Sequence, residues 1–188
     1  MILLAITPGL GFDRNRWSAV LRSGVDAFLI REKQLEARAL LDAARWCQDE
    51  APGVELWVAG RLDVALAAGC GLHAPEAYPG AHPEVEPGLV PLSRPLHHED
   101  QWDARRGSDQ LLVSPIFPSP GKGEPWGPER LHRFLDPLPP GGPRLLALGG
   151  VDPRNAPALS HPRLVGLAAI RPFWEGEPAR AVARFRER

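Results

Sequence analysis

Two lysines are candidate anion-binding groups in a chain that otherwise uses arginine. Lys33 and Lys122 are the only lysines among 22 basic residues, and each follows a short apolar run. An ammonium binds phosphate as a compact point charge, whereas a guanidinium favours planar, bidentate partners. We therefore predict that both lysines lie at a mouth that binds an anion. The alternative is that they are ordinary loop residues, since most lysines are exposed.

A second phosphate-binding signal is the segment 148–153, which reads Leu-Gly-Gly-Val-Asp-Pro. The paired glycines, Gly149 and Gly150, would let a phosphate approach backbone N–H groups, and the Asp-Pro that follows is typical of a helix start. Ala169 and Ile170 would complete the cradle after the next apolar run. A tight strand-to-helix turn is the alternative interpretation of the glycine pair.

Further polar residues follow the apolar runs at the ends where parallel barrels carry their chemistry. Because each lies close to the end of a predicted strand, side chains from distant parts of the chain would converge on one mouth. Together with the lysines and the glycine cradle, the following residues are predicted to bind the ligand: Arg31, Arg61, Ser93 and Ser119.

Length and composition favour one domain that spans residues 1–188. With 44% hydrophobic residues and a formal charge of −1, the chain has the composition neither of a disordered protein nor of a nucleic-acid-binding one. The apolar run 1–6 is too short for a membrane span and lacks a basic leader. We therefore predict a cytoplasmic protein that neither spans nor binds a membrane. Cys47 and Cys70 lack metal-site spacing and imply no disulfide.

Short apolar runs alternate with amphipathic segments along the chain. Strands are predicted over residues 2–6, 27–31, 55–58, 71–73, 89–92, 110–114, 145–148 and 164–168. Helices are predicted over 14–22, 35–48, 61–68, 99–106, 128–135, 153–160 and 177–186, and the Pro- and Gly-rich stretch 76–88 predicts a short or missing fourth helix. This alternation is typical of an α/β fold with a parallel sheet, and its uniform repeat favours a compact, single-domain (β/α)8 TIM barrel. A doubly wound open sheet is the competing architecture.

Several segments resemble those of thiamine phosphate synthases and their relatives, the TenI-type thiazole tautomerases. Residues 30–33 (Ile-Arg-Glu-Lys) resemble the family's L-R-E-K segment, and residues 114–122 (Ser-Pro-Ile-Phe-Pro-Ser-Pro-Gly-Lys) its S/G-P-[IV]-F-x-T-x-x-K loop. Residues 147–151 match A-[IL]-G-G-[IV], residues 71–76 match the G-[VL]-H-L-P-E form of TenI-like members, and residues 61–66 follow R-x-D-x-A-L. Because these segments occur in family order over about residues 2–170, the chain is identified as a member of this superfamily.

Three departures from the synthase pattern favour the TenI-like branch. Where the synthases end the third strand with N-D-R, whose aspartate binds magnesium, this chain has Ala59-Gly60-Arg61. A second magnesium aspartate has no counterpart beyond Glu76, and Leu29 replaces the glutamine before L-R-E-K. Since Mg²⁺ bridges substrate phosphates through one or two carboxylates, we expect no metal site and no cofactor, and poor release of diphosphate.

The resemblance then implies an isomerase of thiamine biosynthesis that aromatises a thiazole carboxylate phosphate tautomer by proton transfer. The glycine cradle would hold the phosphate of this thiazole, Arg31 and Lys33 would hold its carboxylate or a second anionic edge, and Lys122 would close over it from the sixth loop. The family's histidine on the sixth strand is replaced by Pro115, so we predict that His73 or Glu32 carries the proton. Alternatively, His73 is a hydrogen-bonded barrel histidine and Glu32 only orients Arg31 or Lys33.

Two other functions stay open. One is thiamine phosphate synthase, which condenses a thiazole phosphate with a pyrimidine diphosphate and would have to accept magnesium through Glu76 and water. The other is a non-catalytic TenI-like regulatory or binding protein, and a homodimer is compatible with each of these functions.

Two further features have an ordinary structural interpretation. His97-His98-Glu99-Asp100 is better explained as a solvated helix start than as a metal cluster, because adjacent residues point in different directions. Trp126 either covers the mouth, where it would meet a heteroaromatic ring, or packs at the edge of the core.

Overall fold

Eight parallel strands close into one barrel, with each strand paired to its neighbours in chain order and β8 paired to β1. The computed structural model describes residues 1–76 and 89–187. The strands are β1 Ile2–Ile6, β2 Ala27–Ile30, β3 Glu55–Ala59, β4 Gly71–His73, β5 Leu92–Leu96, β6 Gln110–Val113, β7 Arg144–Leu148 and β8 Leu164–Ala169. The prediction of a TIM barrel is confirmed, and the doubly wound sheet is ruled out because the sheet has no open edge.

Helices cover the outside of the barrel. Within the described residues the α-helices are α1 Arg14–Leu21, α2 Ala37–Glu50, α3 Leu62–Ala68, α4 Trp102–Arg105, α5 Gly127–Leu135, α6 Arg171–Trp174 and α7 Pro178–Arg186. The short α6 was missed by the sequence analysis, and the helices predicted over 99–106 and 153–160 are partly 3₁₀ turns, Glu99–Gln101 and Ala156–Leu159. The prediction of a short or missing fourth helix falls almost entirely on residues 77–88, which lie outside the described residues.

The fifth strand was predicted too early in the chain, and that prediction was wrong. It was expected over residues 89–92, whereas β5 runs from Leu92 to Leu96 and contains Pro95. Proline lacks an N–H and is normally excluded from central strands. Ser93 O accepts from Ala74 N, so Ser93 and, two residues later, Pro95 direct their backbone groups toward β4. Because β4 ends at His73, an N–H at position 95 would have had no residue of that strand as its acceptor.

Side chains of alternate strand residues fill the barrel interior. Trp57 is the largest of them, and a Cβ on Gly71 would lie 2.3 Å from its ring. Glycine is thus required on β4 to make room for the indole. At the amino-terminal end of the strands, Arg144 closes the barrel through a bidentate ion pair with Glu55, with N···O distances of 2.8 and 2.6 Å. This ion pair links β7 to β3 across the amino-terminal end of the barrel.

A second apolar layer lies between the barrel and its helices, where Trp17 of α1 packs on Phe28 of β2 with ring centroids 5.4 Å apart. Cys47 and Cys70 belong to this layer as free thiols, and burial raises the pKa of Cys47 to about 12 and that of Cys70 to about 11. Both thiols are therefore protonated and inert near neutral pH. Among the described residues, no helix has the length and apolar character needed to cross a bilayer.

Candidate anion-binding site at the barrel mouth

A cavity of about 1050 Å³ opens at the carboxyl ends of the strands. Parallel barrels place their ligand sites at this end, because the βα loops that surround it vary freely in sequence. Nine of the residues predicted to bind or react with a ligand line it: Arg31, Lys33, His73, Ser119, Lys122, Gly149, Gly150, Ala169 and Ile170. Glu32, Arg61 and Ser93 do not line the cavity.

The glycine pair is required by the loop that follows β6. Ile116 N donates to Leu148 O and Phe117 N donates to Gly149 O, both at 2.9 Å, so this loop prolongs the pairing of β6 with β7. A Cβ on Gly149 would lie 2.8 Å from Pro115 Cα, and one on Gly150 would lie 2.7 Å from Phe117 Cβ. Both glycines also have positive φ, 99° and 65°. Both residues must therefore be glycine because the β6 loop packs closely against them and because their φ values are positive. From the sequence, the closely approaching group was expected to be a phosphate.

Backbone donors at the end of β7 and β8 are left for a ligand. Gly150, Val151 and Ile170 all line the cavity, and none of their N–H groups donates to an acceptor within the part of the chain that the structure describes. Backbone N–H groups without partners are uncommon in folded proteins unless water or a ligand satisfies them. Converging N–H groups after strands seven and eight of a parallel barrel are suited to a phosphate.

Cations surround these donors. The side chains of Arg31, Lys33 and Lys122 line the cavity and make no ion pair with a carboxylate of the described residues. Three arginines that the sequence analysis did not assign to the site, Arg171, Arg180 and Arg184, line it from α6 and α7. Arg180 and Arg184 lie four residues apart on one face of α7, a spacing that can be read from the sequence. The lining also includes four carboxylates, so basic side chains outnumber acidic ones at the mouth by seven to four: Arg31, Lys33, Lys122, Arg154, Arg171, Arg180 and Arg184 against Glu76, Asp152, Glu175 and Glu177.

His73 sits deeper, at the end of β4, and is held by its neighbours. Its Nδ1 lies 2.9 Å from Ser93 Oγ, and the Gln110 amide donates to the same oxygen at 3.3 Å. The three residues are successive register partners on β4, β5 and β6. Burial is the main cause that lowers the pKa of His73 to about 4, and Arg31 and His97 lower it further. His73 is therefore neutral at pH 7, and Ser93 contacts His73 rather than the cavity.

Glu32 faces away from the cavity, toward the loop between β1 and α1. Its two carboxylate oxygens accept from Gly9 N at 3.0 Å and from Gly11 N at 2.7 Å, and Gln34 Nε2 adds a third hydrogen bond at 2.8 Å. These contacts give Glu32 a loop-positioning role. They do not place it against Arg31 or Lys33, the orienting role considered from the sequence.

Arg61 also lies outside the cavity. Its guanidinium binds Asp63 at the start of α3, with N···O distances of 2.9 and 2.6 Å. The hydrogen bond from Arg61 lowers the pKa of Asp63. The structure therefore does not bring Arg61 together with the other predicted ligand-binding residues.

His97 was set aside by the sequence analysis, yet it lines the cavity. Its Nδ1 lies 2.7 Å from the carbonyl oxygen of Ser114, the residue before the cis peptide bond to Pro115. His97 directly follows Leu96, the last residue of β5. Because the strand was predicted to end at residue 92, His97 was not expected at the mouth. Trp126 is buried and its Nε1 donates to His97 O at 2.9 Å, so it packs at the edge of the core and does not cover the mouth.

Magnesium is the metal that the resemblance to the synthases would imply, and the described residues do not fit it. At the end of β3 stands Gly60, which has no side chain, and past β4 the nearest carboxylate is Glu76, whose Oε1 accepts from Arg105 at 2.7 Å. The described part of the chain brings no three His, Cys, Asp or Glu side chains together to hold a metal ion. Mg²⁺ needs carboxylate oxygens that are free to coordinate it.

The chain is thus an α/β barrel whose mouth carries unpartnered N–H groups after β7 and β8 and basic side chains around them. Residues 13–173 match the family described as thiamine monophosphate synthase (TMP-TENI), and the chain belongs to this family.

Relatives agree with this assignment. The chain is 32% identical over 186 residues to a thiamine-phosphate synthase of Albidiferax ferrireducens, a match that covers 90% of this chain and 81% of the relative. It is 31% identical over 160 residues to a putative thiamine-phosphate synthase of Geobacter sulfurreducens, covering 80% of this chain and 74% of that one. A thiamine phosphate pyrophosphorylase from Pyrococcus furiosus has the same fold, with a TM-score of 0.83 at 20% identity, over 99% of this chain and 94% of that one.

Proposed function

We propose that the mouth binds a phosphorylated thiazole and that the protein aromatises a thiazole carboxylate phosphate tautomer by proton transfer. The observation that carries the binding part is the set of unpartnered N–H groups of Gly150, Val151 and Ile170 inside the cavity. A phosphate ester accepts several such donors at once, and Lys122 from the β6 loop supplies a charge-assisted contact. Arg31 lines the same cavity, and in this proposal it pairs with the carboxylate of the ring.

The donor set favours proton transfer over displacement of diphosphate. A diphosphate leaving group develops charge that Mg²⁺ normally neutralises, and this chain has Gly60 where the synthases have a magnesium aspartate, while Glu76 is held by Arg105. Aromatisation requires less: a proton leaves one carbon of the conjugated system and is added at another, so no atom or electron is gained or lost. Fixed cations and a neutral imidazole suffice to stabilise the charge that develops between the two steps.

Thiamine phosphate synthase is the second candidate, and the names of the curated relatives favour it. Both reactions need the same phosphorylated thiazole in the same mouth. They differ in the second substrate and in the need for a divalent ion. A binding protein without chemistry is the third possibility, and it shares only the ligand.

One set of assays separates these functions. The purified protein is mixed with the thiazole carboxylate phosphate tautomer in EDTA, and aromatisation is followed by ultraviolet absorbance. In parallel, thiazole phosphate and the pyrimidine diphosphate are supplied with and without Mg²⁺, and diphosphate release is measured. Aromatisation in EDTA supports the proposal, and Mg²⁺-dependent diphosphate release replaces it with the synthase. A saturable rise in melting temperature with neither reaction indicates a binding protein.

A matched pair of variants shows that the reaction belongs to the mouth. Lys122→Ala removes a cation that lines the cavity, whereas Arg38→Ala removes one on the outside of α2. Only the first should lower the affinity for the phosphorylated thiazole. Cytoplasmic location and a homodimer belong to the same proposal, and sedimentation of the purified protein tests the second.

A further inference from the structure

We propose that His97 is the residue that takes the proton from the ligand and returns it, with the Ser114 carbonyl and the Glu76 carboxylate as its partners. This inference rests on the proposed function. It assigns the proton transfer of that reaction to His97. The sequence had predicted His73 or Glu32 for this role.

The tautomer of His97 follows from its partner. Its Nδ1 lies 2.7 Å from Ser114 O, and a carbonyl oxygen can only accept. Nδ1 must therefore carry the hydrogen, and in the neutral imidazole Nε2 carries a lone pair. Imidazoles whose Nδ1–H is bound to a carbonyl are oriented as bases through Nε2.

Nε2 faces a carboxylate that can stabilise the protonated ring. It lies 3.9 Å from Glu76 Oε2, while Glu76 Oε1 is held by Arg105 at 2.7 Å. A proton taken up by His97 would then sit beside a negative charge on one side and have Ser114 O on the other.

The ring is held in place by its backbone as well. His97 N donates to Gln101 Oε1 at 2.8 Å, and His97 O accepts from Trp126 Nε1 at 2.9 Å. The imidazole therefore has a fixed backbone and a fixed Nδ1 contact, and Nε2 lies 3.9 Å from the Glu76 carboxylate, beyond hydrogen-bond distance. A general base must be within hydrogen-bond reach of its proton, and such prior fixation lowers the entropic cost of reaching that geometry.

His97 and His73 offer opposite groups to the same cavity. The Gln110 amide donates to Ser93 Oγ, and in the arrangement we assign the Ser93 hydroxyl donates to His73 Nδ1, which leaves the hydrogen of the neutral ring on His73 Nε2. The enclosed His73 is thus a hydrogen-bond donor, and the half-buried His97 is a proton acceptor. The two rings lie close enough for His97 to be among the groups that lower the pKa of His73, after burial and Arg31.

The step balances with His97 as the sole carrier. The ring C–H bond of the tautomer breaks, an N–H bond forms at His97 Nε2, and the electron pair enters the conjugated system. The His73 N–H stabilises the charge that develops. The N–H bond at His97 then breaks and a C–H bond forms at the other end of that system, which leaves His97 neutral and the thiazole aromatic.

The test compares two adjacent histidines. His97→Gln should lower the rate of aromatisation about 100-fold, the usual scale for loss of a general base, with an affinity for the aromatic thiazole carboxylate phosphate within threefold of wild type by calorimetry. His98→Gln, at the exposed neighbouring position, should leave both within twofold. Added imidazole should restore part of the rate to His97→Ala, which a purely structural role would not predict. Circular dichroism and melting temperature confirm that each variant is folded.

Several results would overturn the assignment. If wild type aromatises the tautomer and His97→Gln keeps more than half of the rate, His97 is not the carrier while the proposed function stands. Loss of the reaction in His73→Gln alone leads to the same conclusion. If wild type binds the ligand and does not aromatise it, the proposed function and this inference both fail.

Discussion

His73 Nδ1 lies 2.9 Å from Ser93 Oγ inside the barrel, and this contact orients the imidazole at the base of the mouth. Burial, aided by Arg31 and His97, lowers the pKa of His73 from 6.5 to about 4. Between these two values the unfolded chain binds a proton that the folded chain does not. Stability is therefore full above about pH 6.5 and falls as the pH drops toward 4.

The His73 contribution can be measured by chemical denaturation between pH 7 and pH 5. In this range a single group with that pKa change removes roughly 2 kcal/mol from the free energy of unfolding. His73→Gln should lose this part of the slope. The range stays above the region where carboxylates titrate, such as Glu99, whose pKa is lowered to about 2 chiefly by its hydrogen bond with Arg130. Equal slopes in the two proteins would contradict the prediction.

Ser93→Ala should destabilise the protein by about 1–3 kcal/mol, because it leaves His73 Nδ1 and the Gln110 amide buried without their common partner. The matched control is Ser23→Ala, since the Ser23 hydroxyl is half-buried and donates only to Val20 O in a turn. Urea denaturation compares the two. A smaller loss in Ser93→Ala than in Ser23→Ala would show that the contact is not stabilising.

Much of this architecture could be predicted from the sequence, because seven of the eight strands are apolar runs bounded by turn residues. The mouth followed from that pattern, since parallel strands bring their carboxyl ends together. The fifth strand did not follow, because Arg94 and Pro95 interrupt its hydrophobic pattern. With its bounds displaced, Ser93 was expected at the rim, whereas it lies inside, and His97 was expected in solvent, whereas it lies at the rim.

Tertiary contacts decided the remaining differences. Glu32 lies between Arg31 and Lys33 in the sequence. Only the path of the β1–α1 loop shows that its carboxylate binds Gly9 and Gly11. Trp126 lies in a loop with turn composition, and its burial depends on Phe134 and Arg130 of α5, which pack on its ring. The Glu32 contacts with Gly9 and Gly11 join residues more than twenty positions apart and have no local sequence signal.

Glu32→Gln should loosen the β1–α1 loop. An amide keeps one acceptor oxygen but places an NH₂ group against a backbone donor, so one buried N–H loses its partner at a cost of about 1–3 kcal/mol. Hydrogen exchange at the amides of Gly9 and Gly11 should become faster. Glu36→Gln is the control, since the exposed Glu36 forms no side-chain cap on α2. If exchange is unchanged and only the rate of aromatisation falls, Glu32 acts in the chemistry.

Gly150→Ala tests the packing of the β6 loop on β7. The new Cβ would lie 2.7 Å from Phe117 Cβ, and the backbone φ of 65° adds strain for any residue with a side chain. Gly121→Ala is a close control, because Gly121 has a φ of 69° and no heavy atom within 4 Å of the new Cβ. Both variants incur the left-handed strain of about 1 kcal/mol. Gly150→Ala should lose roughly 1–3 kcal/mol more by overpacking, as measured by urea denaturation, and an equal loss in both would mean that the loop adjusts freely.

Variants of Lys122 test why this arginine-rich chain carries lysine at positions 33 and 122. Both line the cavity without a carboxylate partner among the described residues, so each is available to an anion. Lys122→Ala should weaken binding of the thiazole phosphate about 3- to 30-fold, in line with a charge-assisted contact that is partly screened by solvent. Higher salt should narrow the difference between wild type and variant, because screening weakens exposed charge pairs. Lys122→Arg should retain part of the affinity, since the charge stays while the compact ammonium is lost. Titration calorimetry at two salt concentrations measures all three proteins, and an affinity for Lys122→Ala equal to that of wild type at low salt would remove this residue from the anion site.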